Sequence, residues 1–140
     1  MTDDSYKDVE YEKGVELAIE YGKFVQSVTS DYSKNHISML RRMEELSMLD
    51  NVKITHLLTA ALGLTGEAGE FADHVKKIFF HGKPFDAERR EEMILELGDL
   101  MWYVMQACEG LEVSLGEVIY DNIDKLSKRH PDGFKKDYKS

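Results

Sequence analysis

The sequence predicts an all-α fold, an antiparallel bundle of about five helices completed by oligomerisation. Three observations carry the helical class, and the shortness of the chain suggests the oligomerisation. Apolar residues recur at spacings of three and four along most of the chain, the period of one helical face. No stretch of any length alternates with the period of two that a half-buried strand needs. Only two prolines occur among the 140 residues, so little interrupts a helix.

The elements follow in order. From about 10 to 30, Val15, Ala18, Gly22 and Val25 share one helical face. From about 36 to 49, Ile37, Leu40 and Met43 do the same. Asp50-Asn51 is a break with good capping residues. A long apolar helix is expected over about 54–81, with Gly82 as its C-terminal stop. "GKPFD" is a loop, and Asp86 is placed to cap the next helix, expected over about 87–109 and ending at Gly110. Ser114 and Glu117 form a capping box that opens the last helix, which runs to about Arg129. "HPDG" ends it with turn residues. The length fits one domain over 1–140, with polar tails at 1–9 and 135–140.

Composition narrows the function classes. Apolar residues make up 42% and charged residues 32%, an ordinary soluble balance. The formal net charge of −9 disfavours non-specific nucleic-acid binding, which needs a basic face. It leaves a phosphate ligand open, because a bound metal inverts the local sign. The start lacks the apolar core of a signal peptide, and no run is long enough to span a membrane. A lone cysteine, Cys108, has no partner for an intramolecular disulfide, which agrees with a cytoplasmic setting. With no basic activator evident near it, Cys108 reads as buried and inert.

Two short stretches stand apart. Residues 67–70 read "EAGE" and residues 96–99 read "ELGD". Acids three residues apart lie about 60° apart around a helix, on one face. Glu67 and Glu70 therefore share a face of the third long helix, and Glu96 and Asp99 share a face of the fourth. A short loop makes those helices antiparallel neighbours. Counted from a turn near residue 83, Glu70 and Glu96 fall at equal height. Four carboxylates at one level repel unless a cation sits between them. All-oxygen ligation suits Mg²⁺ or Mn²⁺ better than zinc. A di-iron bundle is the nearest competitor, but it wants Glu-x-x-His motifs that neither pair supplies. His74, four residues beyond Glu70, leaves a nitrogen ligand open. The plain alternative is a set of solvated acids, but the apolar flanks argue against a wholly polar face.

Positive groups lie nearby in the pattern. Lys77 continues the Glu67–Glu70 stripe towards the turn, with His74 and His81. Asn122, Lys125 and Arg129 share one face of the last helix. A metal beside such a row is what a polyphosphate needs. Basic residues in a helix's last turns also complement its dipole with no ligand at all. Trp102 and Tyr103 follow Asp99 closely enough to stack a base, or to pack in the core. Phe79, Phe80 and Met101 read as packing residues.

"GLTGEAGEFADHVKK", "EEMILELGDLMWYV" and "NIDKLSKRHPDGF" together resemble the MazG-like all-α nucleotide pyrophosphohydrolases, in their short single-domain bacterial and phage forms. The match covers roughly residues 57–134. The resemblance implies Mg²⁺-dependent hydrolysis of a nucleoside triphosphate to the monophosphate and pyrophosphate. It makes Glu67, Glu70, Glu96 and Asp99 metal ligands; of these, one not fully engaged by the metal, Glu67 or Glu70, is expected to accept the proton of the attacking water. It makes Lys77, Asn122, Lys125 and Arg129 phosphate or nucleotide contacts. Tyr103 matches a position that often contacts the nucleotide in relatives acting on dCTP. The resemblance also implies homodimers or homotetramers. Many relatives carry adjacent acids, "EExxE"; here Gly66 stands before Glu67, which loosens the assignment of the water-orienting base. The alternative is a non-catalytic helical protein that binds metal, nucleotide or a partner and turns nothing over.

Overall fold

The structure, a computed structural model, describes residues 5–133, with side chains from Tyr11 onward. The chain is helical throughout its ordered elements: α1 (Ser5–Val28), α2 (Asp31–Lys34), α3 (His36–Ser47), α4 (Ile54–His81), α5 (Ala87–Leu111) and α6 (Leu115–Arg129). No strand occurs among the described residues. The all-α class holds. The short α2, between two of the expected helices, is an addition. α1 begins at Ser5, inside the stretch expected as a tail, while the expected tail at 135–140 lies outside the described residues.

Where one domain is expected, the helices group as two compact units, one reaching Glu45 and one starting at Leu46. In the first unit, Asn35 ends α2 and opens α3. Its side-chain oxygen accepts from the backbone N–H groups of Ile37 (2.9 Å) and Ser38 (3.3 Å), two of the donors that a helix start leaves unsatisfied.

The second unit is built on the α4–α5 hairpin, the one extensive helix–helix contact among the described residues. Local chemistry sets its ends. Gly82 adopts a left-handed conformation (φ 63°) that ends α4, as the sequence predicts. The Asp86 side chain accepts from the Arg89 backbone N–H at 2.9 Å and starts α5. α5 runs one residue past Gly110, to Leu111, with Glu112 left-handed after it. Ser114 and Glu117 close the expected capping box at the start of α6. The break at Asp50-Asn51 is present, but the cap of α4 is Lys53, with no side-chain hydrogen bond. The Lys53 backbone N–H instead donates to the Gly110 carbonyl at 2.8 Å, so the open end of the hairpin is tied by backbone.

The pairing is antiparallel and long. His56 Nδ1 meets Gln106 Oε1 at 2.7 Å, and Leu57 lies against Gly110. Further along, Gly63 lies under the Tyr103 ring, and His74 reaches Glu92. Position numbers fall on one helix as they rise on the other, which is the register that the turn count predicts.

Little of this is enclosed. Among the described residues only Ala60, Cys108 and Gly110 are fully buried. The burial of Cys108 is as expected. Phe79, Phe80 and Met101, expected as packing residues, stand 76%, 83% and 49% exposed within the single chain. The reason is geometric. α4 and α5 pack chiefly on one another, so apolar residues off their shared seam stay in solvent.

Candidate active site

The acid pairs meet midway along the hairpin. One carboxylate oxygen each from Glu67, Glu70 and Glu96 lies within 4.8 Å of the other two. Glu67 and Glu96 are partly buried, and Glu70 is exposed. Asp99, one turn further along α5, is exposed and falls outside this tight group. It still acts on Glu67 through charge.

Glu67 registers the crowding. Its carboxyl titrates above its ordinary value, first because burial disfavours the charged form, then because of repulsion from Glu70, Asp99 and Glu96. A side-chain hydrogen bond to Glu96 pushes the same way. The donor set is all oxygen, carries excess negative charge and converges from two rigid helices. It fits a hard divalent cation.

A second cluster adjoins the first on the turn side. His74 is only 12% exposed at its side chain, with Nε2 3.6 Å from Glu96 Oε1. Its Nδ1 lies 3.1 Å from an Arg89 terminal nitrogen and 3.5 Å from Glu92. Arg89 also donates to Glu92 Oε2 at 2.7 Å. Its Nε is buried without a hydrogen-bond partner. Sequence reasoning raises His74 only as a spare ligand and passes over Arg89 and Glu92. The signal was present: Arg89, Glu92 and Glu96 follow at three and four, so they extend the Glu96 stripe towards the turn.

The remaining candidates are distributed differently. Lys77 Nζ pairs with Asp73 at 2.7 Å, and Lys76 pairs with the same carboxylate. The two lysines, by hydrogen bonds first and charge second, hold the Asp73 carboxyl down at about 2. Lys77 is thus engaged within α4. Tyr103 lies partly buried between α4 and α5, its ring edge-on to Trp102 with centroids 4.8 Å apart. It sits one turn beyond Asp99 and faces Gly63, one turn before Glu67. A Cβ on Gly63 would collide with the ring, so only glycine admits it there. Asn122 and Lys125 line an open groove of about 430 Å³ on α6 with Val118, Ile119 and Asp121. Arg129 is exposed at the end of α6. Among the described residues no hydrogen bond or ion pair joins Asn122, Lys125 or Arg129 to the acid cluster.

Fold and site together define an all-α hairpin protein with a carboxylate cluster shared between two helices. The chain belongs to the MazG nucleotide pyrophosphohydrolase domain family, whose model matches residues 55–134. The matched stretch contains the acid cluster, Tyr103 and all of α6. A similar protein is the "Gene 37 protein" of Mycobacterium phage L5, 42% identical over 81 residues, which are 57% of this chain and 71% of that one. No solved structure matches the chain significantly. Among the described residues no helix is long and apolar enough to cross a membrane.

Proposed function

We propose that this chain hydrolyses a nucleoside triphosphate, a deoxynucleoside or modified nucleoside triphosphate, to the monophosphate and pyrophosphate, with Mg²⁺ or Mn²⁺ as cofactor. The observation that carries the reading is the convergence of Glu67, Glu70 and Glu96 within 4.8 Å, inside a MazG-family match. Glu67, Glu70, Glu96 and Asp99 would hold the cation. When bound, it would neutralise triphosphate oxygens and lower the pKa of the attacking water.

The chain's own residues do the rest. Glu67 or Glu70 accepts the proton that the water loses. Asn122, Lys125 and Arg129 bind phosphate from α6, and Lys77 joins them by exchanging Asp73 for the anion. Tyr103 lies against the base or sugar. The large exposed apolar surface favours a homodimer or homotetramer, in which a neighbouring subunit brings the basic residues to the acids. A lone, buried thiol agrees with work in the cytoplasm.

A panel of common and modified ribo- and deoxynucleoside triphosphates, assayed with Mg²⁺ for pyrophosphate, tests this. Activity on at least one of them is expected, lost in the Glu70→Gln, Asp99→Asn double variant. No pyrophosphate from any substrate, or full activity in the double variant, overturns the reading.

A further inference from the structure

We propose that His74 is a positioning residue for Glu96, with its tautomer set by Arg89. This rests on the cation-binding reading of the acid cluster and names a residue that the reading does not use.

The argument begins with hydrogen-bond inventory. A guanidinium has only donors. The 3.1 Å contact from Arg89 to His74 Nδ1, shorter than the 3.5 Å approach of Glu92 to the same nitrogen, therefore makes Nδ1 the acceptor. A neutral imidazole that accepts at Nδ1 carries its proton on Nε2. That nitrogen faces Glu96 Oε1 at 3.6 Å, a polar contact just beyond hydrogen-bond length. The N–H is thus directed at one of the three clustered carboxylates. Arg89 is itself anchored: Glu92 takes the same terminal nitrogen at 2.7 Å.

The enclosure supports a fixed geometry. His74 and Glu96 are 12% and 16% exposed at their side chains, and Arg89 21%, against 42% for Glu92. An exposed pair would spend much of its time apart in water. Here the ring, carried by α4, lies against Arg89 and Glu96 of α5, and a Glu96 carboxylate oxygen lies within 4.8 Å of one from Glu67. A donor on one side of a ligating carboxylate fixes which oxygen it can turn towards a cation. With Nδ1 accepting from Arg89 and Nε2 carrying the proton, neither ring nitrogen is free to ligate, so His74 acts as an outer support.

Two readouts test this. Nitrogen NMR of the metal-free protein at alkaline pH should find His74 in the Nε2–H tautomer, and Arg89→Met should turn it into a mixture. Mn²⁺ titration followed by electron paramagnetic resonance, without nucleotide, should find affinity lowered about 10- to 100-fold in His74→Ala. His74→Gln, which keeps a donor near the Nε2 position, should recover most of it, with circular dichroism unchanged in both. An Nδ1–H tautomer, or equal Mn²⁺ affinity in His74→Ala and the natural protein, overturns the proposal. Weakening in both variants alike also overturns it, since the donor would then be irrelevant. Failure of the hydrolase reading looks different: the natural protein binds Mn²⁺, His74→Ala weakens it, and no triphosphate is cleaved. If the natural protein binds no Mn²⁺, both fall together.

Discussion

At Glu67 the fold disfavours an ionised carboxylate, and the sign of the effect on stability follows. The group ordinarily titrates at 4.5 and titrates higher in the folded chain. Below 4.5 the folded and unfolded chains both hold the proton, and Glu67 makes no difference. As pH rises from there, the unfolded chain releases its proton first, so stability falls. Above the raised value the penalty is complete. Glu67→Gln should therefore melt higher than the natural protein at neutral pH, while losing activity. Mg²⁺ should raise the melting temperature of the natural protein at neutral pH and do so less as pH falls towards 4.5; melting curves across pH, with and without the ion, check both. Gly63 carries a second residue-scale prediction. A methyl there meets the Tyr103 ring. Gly63→Ala should cost about 1–3 kcal/mol of overpacking, offset in part by roughly 1 kcal/mol of helix propensity. In a Tyr103→Ala background the same change should become stabilising. Urea denaturation of the four variants shows whether the sign reverses.

Among elements, α6 depends most on its own local chemistry. It is absent from the one extensive helix–helix contact among the described residues, so packing gives it limited support. Its start is held by the Ser114–Glu117 box. The Ser114 side chain accepts from the Glu117 N–H at 3.1 Å, and the Glu117 carboxylate accepts from the Ser114 N–H at 2.9 Å. Those bonds also hold the Glu117 carboxyl below its ordinary value. Ser114→Ala should cost about 1 kcal/mol and should fray α6 first, seen as faster amide exchange over 115–119 than in α4 or α5. If Asn122 and Lys125 bind phosphate, the same variant should raise KM more than it lowers kcat. α4 and α5 have the opposite character. They are long, they pair along most of their length, and the acids sit near the middle of that pairing, where fraying reaches least.

At the scale of the whole molecule, the exposed apolar surface is the dominant fact. Leu58, Leu62, Leu95, Leu97 and Trp102 on α4 and α5 are all at least 45% exposed, and Val118, Ile119 and Ile123 on α6 are exposed with them. So many large apolar side chains in water favour association with a further copy of the chain. We expect light scattering to find a dimer or tetramer, and the melting temperature to rise with protein concentration, as linked folding and association require. A concentration-independent monomer would remove the route by which α6 cations from a neighbour reach the acids.

By itself the sequence determined what depends on neighbours along the chain: the helical period, the glycine stop at 82, the Asp86 cap and the Ser114–Glu117 box. It also determined the level at which Glu67, Glu70 and Glu96 meet, because a short turn between antiparallel helices leaves one register to count from. Spacing along one helix says which residues share a face; it does not say which face turns towards a neighbour, nor by how much. That rotation is decided by packing: Gly63 under Tyr103 and Gly110 against Leu57 set how closely α4 and α5 approach. From it follow the points that only the tertiary structure settled: Asp99 outside the tight acid group, His74 held between Arg89 and Glu96, and Phe79 and Phe80 in solvent. The pairing of Lys77 with Asp73 is a matter of side-chain choice among several acids in reach, and spacing alone does not rank them.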